Sequence, residues 1–164
     1  MKKLQISEFN ENIFELFNDQ WALLTAGTIH HFNTMTISWG MMGILWNKKI
    51  VSVFVRPTRY TYQFMEEQDT FTLSFYEEKF REALFVLGSN SGKDTNKVEL
   101  SGLTPMVLYG NVTFEEHQMT IVCKKIYTSD LNPSHFLEQS IGKNYPNLDY
   151  HRQYMGEIIG IYVK

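Results

Sequence analysis

A run of β-branched and aromatic residues that ends at a proline constrains this chain most. Residues 50–55, Ile-Val-Ser-Val-Phe-Val, are typical of a strand, because such side chains pack well on a pleated surface. Pro57 ends the run, since proline lacks an N–H for a sheet ladder and biases Arg56 to an extended conformation. Thr58 is a candidate N-cap for a following short helix. The apolar residues at helical spacing in that helix are Tyr60, Phe64 and Met65.

Two arginines and two threonines fall at this strand-to-helix junction. Arg56, Thr58, Arg59 and Thr61 lie where a helix N-terminus offers free N–H groups and a positive dipole end. A guanidinium group can bond two phosphate oxygens at once, so the junction is a candidate phosphate site. The alternative is that both arginines are solvated or pair with a nearby carboxylate, at Glu66, Glu67 or Asp69.

Hydroxyl and apolar side chains alternate over residues 33–40. The hydroxyls belong to Thr34, Thr36 and Ser38, and the apolar side chains to Met35, Ile37 and Trp39. A period of two predicts a strand with hydroxyls on one face, which can meet the polar edge of a flat ligand. The alternative is an ordinary strand with a polar solvent face. The apolar, glycine-punctuated residues 41–46 are predicted to form a loop or short turn.

A polar loop at residues 89–94 is a third candidate for anion binding. Backbone N–H groups around Gly92 can form a concavity, and Lys93 and Lys97 add positive charge. Asp94 is predicted to cap a short helix over residues 95–100. The loop lacks the spacing and preceding strand of a P-loop, and the alternative is a plain surface turn.

The remaining pattern consists of short strands joined by turns. Further strands are predicted at residues 21–27, 70–75, 106–115, 118–126 and 155–163, and further helices at 7–17, 78–87 and 134–139. The strands at 106–115 and 118–126 are predicted to pair as a hairpin, and Gly88 to follow the end of the helix at 78–87. Six or seven strands without alternating βαβ units favour an antiparallel barrel or sandwich with helices outside.

Composition limits the classes of protein that fit. The chain has 164 residues, of which 43% are hydrophobic and 15% aromatic, so we predict one folded domain over residues 1–164. A net charge of −3 argues against nucleic-acid binding, and no apolar run reaches the ~20 residues of a membrane helix. The N-terminus does not resemble a signal peptide, and we expect a cytoplasmic protein.

The cysteine and the paired histidines predict neither a disulfide nor a metal site. Cys123 is the single cysteine, which excludes an internal disulfide, and we expect a buried structural thiol. His30 and His31 point to opposite faces of a strand, so no metal site is predicted.

Four segments together resemble one family. Residues 33–40, 55–61, 91–97 and 151–158 are similar, in this order, to the flavin reductase-like, FMN-binding split-barrel proteins, especially the flavoredoxin branch. The resemblance implies a mainly β fold, a six-stranded antiparallel split β-barrel with Greek-key connections and short flanking helices. It also implies a homodimer that holds FMN near the subunit interface.

The resemblance assigns each segment a part of the cofactor. The isoalloxazine ring would be met by Thr34, Met35, Thr36, Ser38 and Trp39. The phosphate and ribityl chain would be met by Arg56, Pro57, Arg59, Tyr60 and Thr61. The remaining phosphate and ring-edge contacts would come from Ser91, Gly92, Lys93, Asp94 and Lys97.

The function that follows is that of a flavoprotein oxidoreductase. The family suggests either an NAD(P)H-dependent flavin reductase or flavoredoxin-type electron transfer, with NADH or NADPH as donor and an unidentified electron acceptor. No side chain is assigned a catalytic role, since the flavin supplies the chemistry. His151 is the histidine of interest in the closing segment, and Lys93 and Lys97 are candidates to stabilise reduced flavin. The alternative is a flavin-binding electron carrier without its own nicotinamide site. A split-barrel oxidase acting on a pyridoxine-type phosphate is not favoured, because the chain has no further basic cluster.

Overall fold

Antiparallel strands make up most of the molecule, which a computed structural model describes over residues 1–164. The strands are β1 (Lys2–Leu4), β2 (Ala22–Thr28), β3 (His31–Ile37), β4 (Gly40–Leu45), β5 (Lys48–Val55), β6 (Thr70–Phe75), β7 (Pro105–Leu108), β8 (Asn111–Phe114), β9 (Met119–Asp130) and β10 (Arg152–Val163). The α-helices are α1 (Thr61–Glu67), α2 (Arg81–Ser89) and α3 (Lys97–Ser101).

One large sheet carries eight of these strands. Their order is β3-β2-β6-β9-β10-β5-β4, with β1 paired to the end of β10 on the edge opposite β9, while β7 and β8 form a separate hairpin. The predicted class, a mainly β antiparallel fold with short helices, is confirmed. The main sheet holds more strands than the six predicted for the barrel, because β1 and β4 add to it.

The main core lies against β5 and its neighbours. Val51, Val53 and Val55 are fully buried and pack with Leu24 and Phe71 in one apolar cluster. Even the alternate residue Ser52 is fully buried, so β5 is covered on both faces. This double burial explains why its sequence is a continuous apolar run instead of a clean alternation.

The predicted loop at residues 41–46 is wrong, because most of this segment is strand β4. It pairs antiparallel with β5, and Ile44 lies opposite Lys49. Trp46 and Asn47 form the connecting turn with φ angles of 50° and 57°. A two-residue turn with both φ values positive usually carries Asn-Gly, so this Trp-Asn pair gave no turn signal.

The predicted hairpin of residues 106–115 with 118–126 is also wrong. The first of these runs folds back on itself as β7 and β8, and the turn between them is Tyr109-Gly110, with φ angles of 48° and 80°. Strand β9 pairs with β6 and β10 instead. Apolar character continues through the short turn, so the pattern alone merged two strands into one.

Several helix boundaries differ from the predictions. The predicted helix at 7–17 is replaced by a 3₁₀ turn at Ile6–Glu8 and a π-helical turn at Glu15–Gln20. Helix α1 begins at Thr61, so Thr58 is not its cap. Helix α2 runs to Ser89 and therefore contains Gly88.

The later helices are shorter and start elsewhere. Asn96, not Asp94, caps α3, and its side chain accepts a hydrogen bond from the Glu99 backbone N–H. The predicted helix at 134–139 is replaced by two 3₁₀ turns, Pro133–His135 and Gln139–Asn144, in the long connection before β10.

Three further features concern the cysteine, the membrane and metals. Cys123 lies in β9 with no exposed surface, and burial raises the pKa of its thiol well above the ordinary value. No helix is both long enough and apolar enough to cross a membrane. No cluster of three or more metal-ligating side chains is present.

Candidate functional site

Three of the predicted segments meet through direct contacts. Asn33 on β3 donates from Nδ2 to the Thr61 hydroxyl at the start of α1, over 2.8 Å. Arg59 donates from Nη2 to the carbonyl of Gly88, near the C-terminal end of α2, over 2.5 Å. Gly92, in the loop after α2, packs directly against the Asn33 side chain. The fold therefore brings together residues that lie far apart in the chain.

Gly92 is the point of closest approach in this arrangement. A Cβ at this position would collide with Asn33 Oδ1 and lie 3.2 Å from Tyr60 Cδ1. We expect Gly92→Ala to destabilise the protein by roughly 1–3 kcal/mol, because the loop must move away from β3. Urea unfolding measures this effect. Gly142→Ala is the control, since a Cβ added there would meet no atom within 4 Å; an equal loss in both variants would contradict the packing argument.

Two neighbouring clefts open around this junction. One, of about 360 Å³, is lined by residues that include Thr36, Ser38, Trp39, Arg56, Arg59 and His151. The other, of about 580 Å³, is lined by residues that include Asn33, Tyr60, Phe64, Gly92, Lys93 and Lys97. Arg59 and Tyr60 are consecutive and line one cleft each, so we treat the two clefts as one groove.

Besides the exposed Lys93, two cations in this groove have no carboxylate partner. Lys97 is only 3% exposed, and its Nζ donates to the carbonyls of Leu87 and Asn90, over 2.9 and 3.1 Å. Arg59 has only the Gly88 carbonyl as a hydrogen-bond acceptor. All three carbonyls lie at the C-terminal end of α2, where positive groups are favoured.

The electrostatics of these cations favour an added anion. Burial lowers the pKa of Lys97 to about 8, and the charge of Arg59 adds to the decrease. Burial also lowers the pKa of Arg59, and the charge of Arg56 contributes. Because buried charges are normally paired, mutually repelling cations beside an open cleft form a suitable site for an anion.

Arg56 is held differently from Arg59. Its Nη1 donates to Asp149 over 2.7 Å, its Nη2 donates to the Asn144 carbonyl over 2.7 Å, and it lies 5.0 Å from the Tyr145 ring centroid. The hydrogen bond from Arg56 lowers the pKa of Asp149. The carboxylate partner of Arg56 is therefore distant in the chain, and none of the nearby carboxylates considered from the sequence pairs with it.

The three hydroxyls of the β3 region do not share one environment. Thr34 is fully buried, with its hydroxyl 2.8 Å from the Thr25 hydroxyl and 3.2 Å from the Leu24 carbonyl. Thr36 donates to the Leu84 carbonyl of α2 over 2.5 Å. Only Ser38, just beyond the strand, is exposed. Helix α2 therefore covers Thr36, and β2 holds the Thr34 hydroxyl, so of the three hydroxyls assigned to solvent or ligand only that of Ser38 is open.

His151 faces the groove at its other side. Its ring lies 5.1 Å from that of Trp39, and its Nδ1 lies 2.9 Å from the Tyr145 hydroxyl. Burial lowers the pKa of His151 to about 4, and the nearby charge of Arg56 adds to this. The imidazole is therefore neutral at neutral pH, which makes it a hydrogen-bonding group and not a cation.

The structure divides the predicted site residues into two groups. Those that line the groove are Met35, Thr36, Ser38, Trp39, Arg56, Arg59, Tyr60, Gly92, Lys93, Asp94 and Lys97. Those that do not are Thr34, Pro57, Thr61 and Ser91. Sequence reasoning missed Asn33 and Gly88 as groove residues. It also missed Asp149, which pairs with Arg56, and Tyr145, whose hydroxyl contacts His151. Only Asn33 lay within a segment that the sequence had singled out.

Comparisons with known proteins identify the family and the fold of this chain. The family model of the flavin reductase like domain matches residues 14–164. No curated protein matches the chain. Among solved structures, flavoredoxin from Methanosarcina acetivorans is 20% identical with a TM-score of 0.70, over all of this chain and 76% of its own.

Two further structures have the same fold at low identity. Flavoredoxin of Desulfovibrio vulgaris (Miyazaki F) is 21% identical with a TM-score of 0.68, over 88% of this chain and 69% of its own. An NADH:FAD oxidoreductase of Streptomyces globisporus is 13% identical with a TM-score of 0.67, over 88% of this chain and 75% of its own. With a family model that spans all but its first residues, the chain belongs to the flavin reductase-like domain family.

Proposed function

We propose that this protein binds FMN in the groove and acts as a flavin oxidoreductase with NADH or NADPH as electron donor. The observation that carries the proposal is the pair of cations, Arg59 and Lys97, that lie beside the clefts without a carboxylate partner. A monophosphate is an anion of suitable size and charge for such a pair. A flavin without a phosphate would leave both charges uncompensated.

The neighbouring residues suit the rest of a flavin. Trp39 is 46% exposed and gives an apolar surface for a flat ring, and the exposed Ser38 adds a hydroxyl beside it. Clefts that combine an apolar wall with a few polar groups are typical of cofactor sites. The isoalloxazine ring itself supplies the chemistry, since it accepts a hydride and releases electrons singly or in pairs. The protein would bind, orient and shield it.

The proposal includes a homodimer. Large apolar side chains stand exposed on the β4–β5 hairpin, where Ile44 is 69% and Trp46 is 57% exposed. Exposed apolar patches of this kind often mark interfaces. A cytoplasmic location is retained as a prediction from the sequence.

An absorption spectrum of the purified protein with added FMN tests the proposal. We expect a bound-flavin spectrum that is bleached by NADH or NADPH under anaerobic conditions. A bound flavin that neither nucleotide reduces would favour the electron carrier without a nicotinamide site. A protein that leaves the spectrum and fluorescence of added FMN unchanged would contradict the proposal altogether.

Lys97 gives the binding a defined pH dependence. Its pKa of about 8 means that the ammonium loses its proton as the pH rises from about 7 to about 9. We therefore expect FMN affinity to fall over this interval, whereas riboflavin, which has no phosphate, should bind with little change. In the ligand-free protein, folding stability changes with pH in the opposite direction to FMN affinity. The unfolded chain holds this proton more tightly, so folding stability rises over the same interval.

Flavin fluorescence titrations at several pH values measure this difference. The Lys97→Met variant is the control, because it should bind FMN with an affinity that no longer changes between about pH 7 and about pH 9. An identical pH dependence for FMN and riboflavin would show that Lys97 does not act on the phosphate.

A further inference from the structure

A third cleft, larger than either cleft of the groove, opens beside them and has a different lining. It has a volume of about 870 Å³, within the range of small-molecule sites. Its aromatic rings come from separate parts of the chain: Phe14 and Phe17 from the N-terminal helical segment, Trp39 from the β3–β4 link, Phe54 from β5 and Tyr145 from the long connection. We call it the aromatic cleft.

Some of the apolar side chains in the aromatic cleft stand in water. Phe14 is 83% exposed, Met41 is 50% exposed and Trp39 is 46% exposed. Removing apolar surface from water is favourable roughly in proportion to the area that is covered. Because these side chains converge on one concave surface, a single small ligand can cover all of them.

The aromatic cleft also contains no charged side chain. No Asp, Glu, Lys, Arg or His lines it, and apart from the Tyr145 hydroxyl its polar side chains are Asn18, Ser38 and Asn144. The Asn18 and Asn144 amides each use one N–H internally, toward Asp19 and the Ile141 carbonyl, and keep their oxygens as acceptors. The ligand that fits is therefore uncharged and flat, with a hydroxyl or similar polar substituent. The neighbouring groove, with its cations, fits an anion instead.

The two sites are continuous. Ser38, Trp39 and Phe54 line both the aromatic cleft and the 360 Å³ cleft of the groove. A molecule in the aromatic cleft would therefore contact the same Trp39 ring that faces the groove. Gly40 keeps this wall compact, because a Cβ there would collide with the Phe17 ring.

We propose that the aromatic cleft binds an uncharged, flat aromatic molecule with a hydroxyl or similar polar substituent. Such binding rests on the cleft alone. The further role of that molecule, as the substrate that meets the flavin, rests on the proposed function.

Calorimetric titration with 2-naphthol, in the presence of saturating FMN, tests the proposal. We expect 2-naphthol to bind, and 2-naphthoate, its charged analogue, to bind more weakly. Phe14→Ala and Met41→Glu should each weaken 2-naphthol binding by about tenfold, since one removes a wall and the other adds a charge. The matched controls are Phe85→Ala and Leu100→Glu, which alter similarly exposed residues outside the cleft and should change the affinity by less than about twofold.

Three results would overturn the proposal. They are the absence of 2-naphthol binding, equal weakening in the cleft variants and their controls, and conversion of a dimer to a monomer by Met41→Glu without any effect on 2-naphthol. The last result, read from light scattering, would make the cleft an interface between copies. FMN binding without 2-naphthol binding would leave the proposed function intact, whereas 2-naphthol binding without FMN binding would overturn only that function.

Discussion

Replacing Arg59 by alanine is expected to weaken FMN binding by roughly ten- to a hundredfold. A hydrogen bond to a charged group contributes about 1.5–3 kcal/mol, and 1.4 kcal/mol corresponds to tenfold in affinity. Arg59 has only the Gly88 carbonyl as a partner, so its remaining donors are available to a phosphate. Arg56 should have a smaller effect, because Asp149 and Asn144 already accept from it. Flavin fluorescence titration measures both variants.

The control for this experiment is Arg81→Ala. Arg81 resembles Arg59 in donating to a backbone carbonyl, that of Gln20, over 3.0 Å. It stacks on Trp21, and neither residue lines the groove. Its loss should leave FMN affinity unchanged. Riboflavin separates two roles of Arg59, since riboflavin lacks the phosphate. If Arg59→Ala weakened riboflavin binding as strongly as FMN binding, Arg59 would act by holding α2 in place and not by binding phosphate.

Replacing Phe64 by alanine is expected to lower the free energy of unfolding by about 3–5 kcal/mol. Phe64 is 1% exposed and belongs to the main core, and its ring lies 5.2 Å from Tyr60 and 4.7 Å from His31. The truncation therefore removes the support of a groove wall as well as core packing. A loss of this size is a large part of the stability of an ordinary domain. Urea denaturation monitored by circular dichroism measures it.

Two variants separate the packing of Phe64 from its place beside the groove. Phe64→Leu keeps most of the buried volume and should cost much less than the alanine variant. Phe85→Ala removes an equally large ring that is 59% exposed, and should change stability by less than about 0.5 kcal/mol. A loss below about 1 kcal/mol for Phe64→Ala would contradict its placement in the core.

The sequence predicted most of the strands because their side chains alternate or are uniformly apolar. Residues 70–75 and 155–163 coincide with, or lie within, β6 and β10 for this reason. Turns were the main source of error. Trp46-Asn47 and Tyr109 adopt positive φ values without glycine at those positions, so their backbone conformation has no compositional signal.

The sequence identified several residues that line the groove but not the long-range contacts that hold them in place. Arg59, Tyr60 and Lys97 were singled out from local pattern and family resemblance, and they line the groove. The burial of Thr34 depends on Thr25, across the hairpin on β2, and the pairing of Arg56 depends on Asp149, near the other end of the chain. Contacts of this range arise from strand order, which one sequence does not reveal.

Because the thiol of Cys123 is buried, a second cysteine introduced at the surface can be labelled selectively. Thiol reagents attack the thiolate, and this thiol has no exposed surface and a raised pKa. The folded protein should therefore be inert to maleimide dyes. A cysteine introduced at Leu137, whose side chain is 100% exposed in the connection before β10, would carry a dye alone. No removal of the native cysteine would be needed before spectroscopy on a single reporter position.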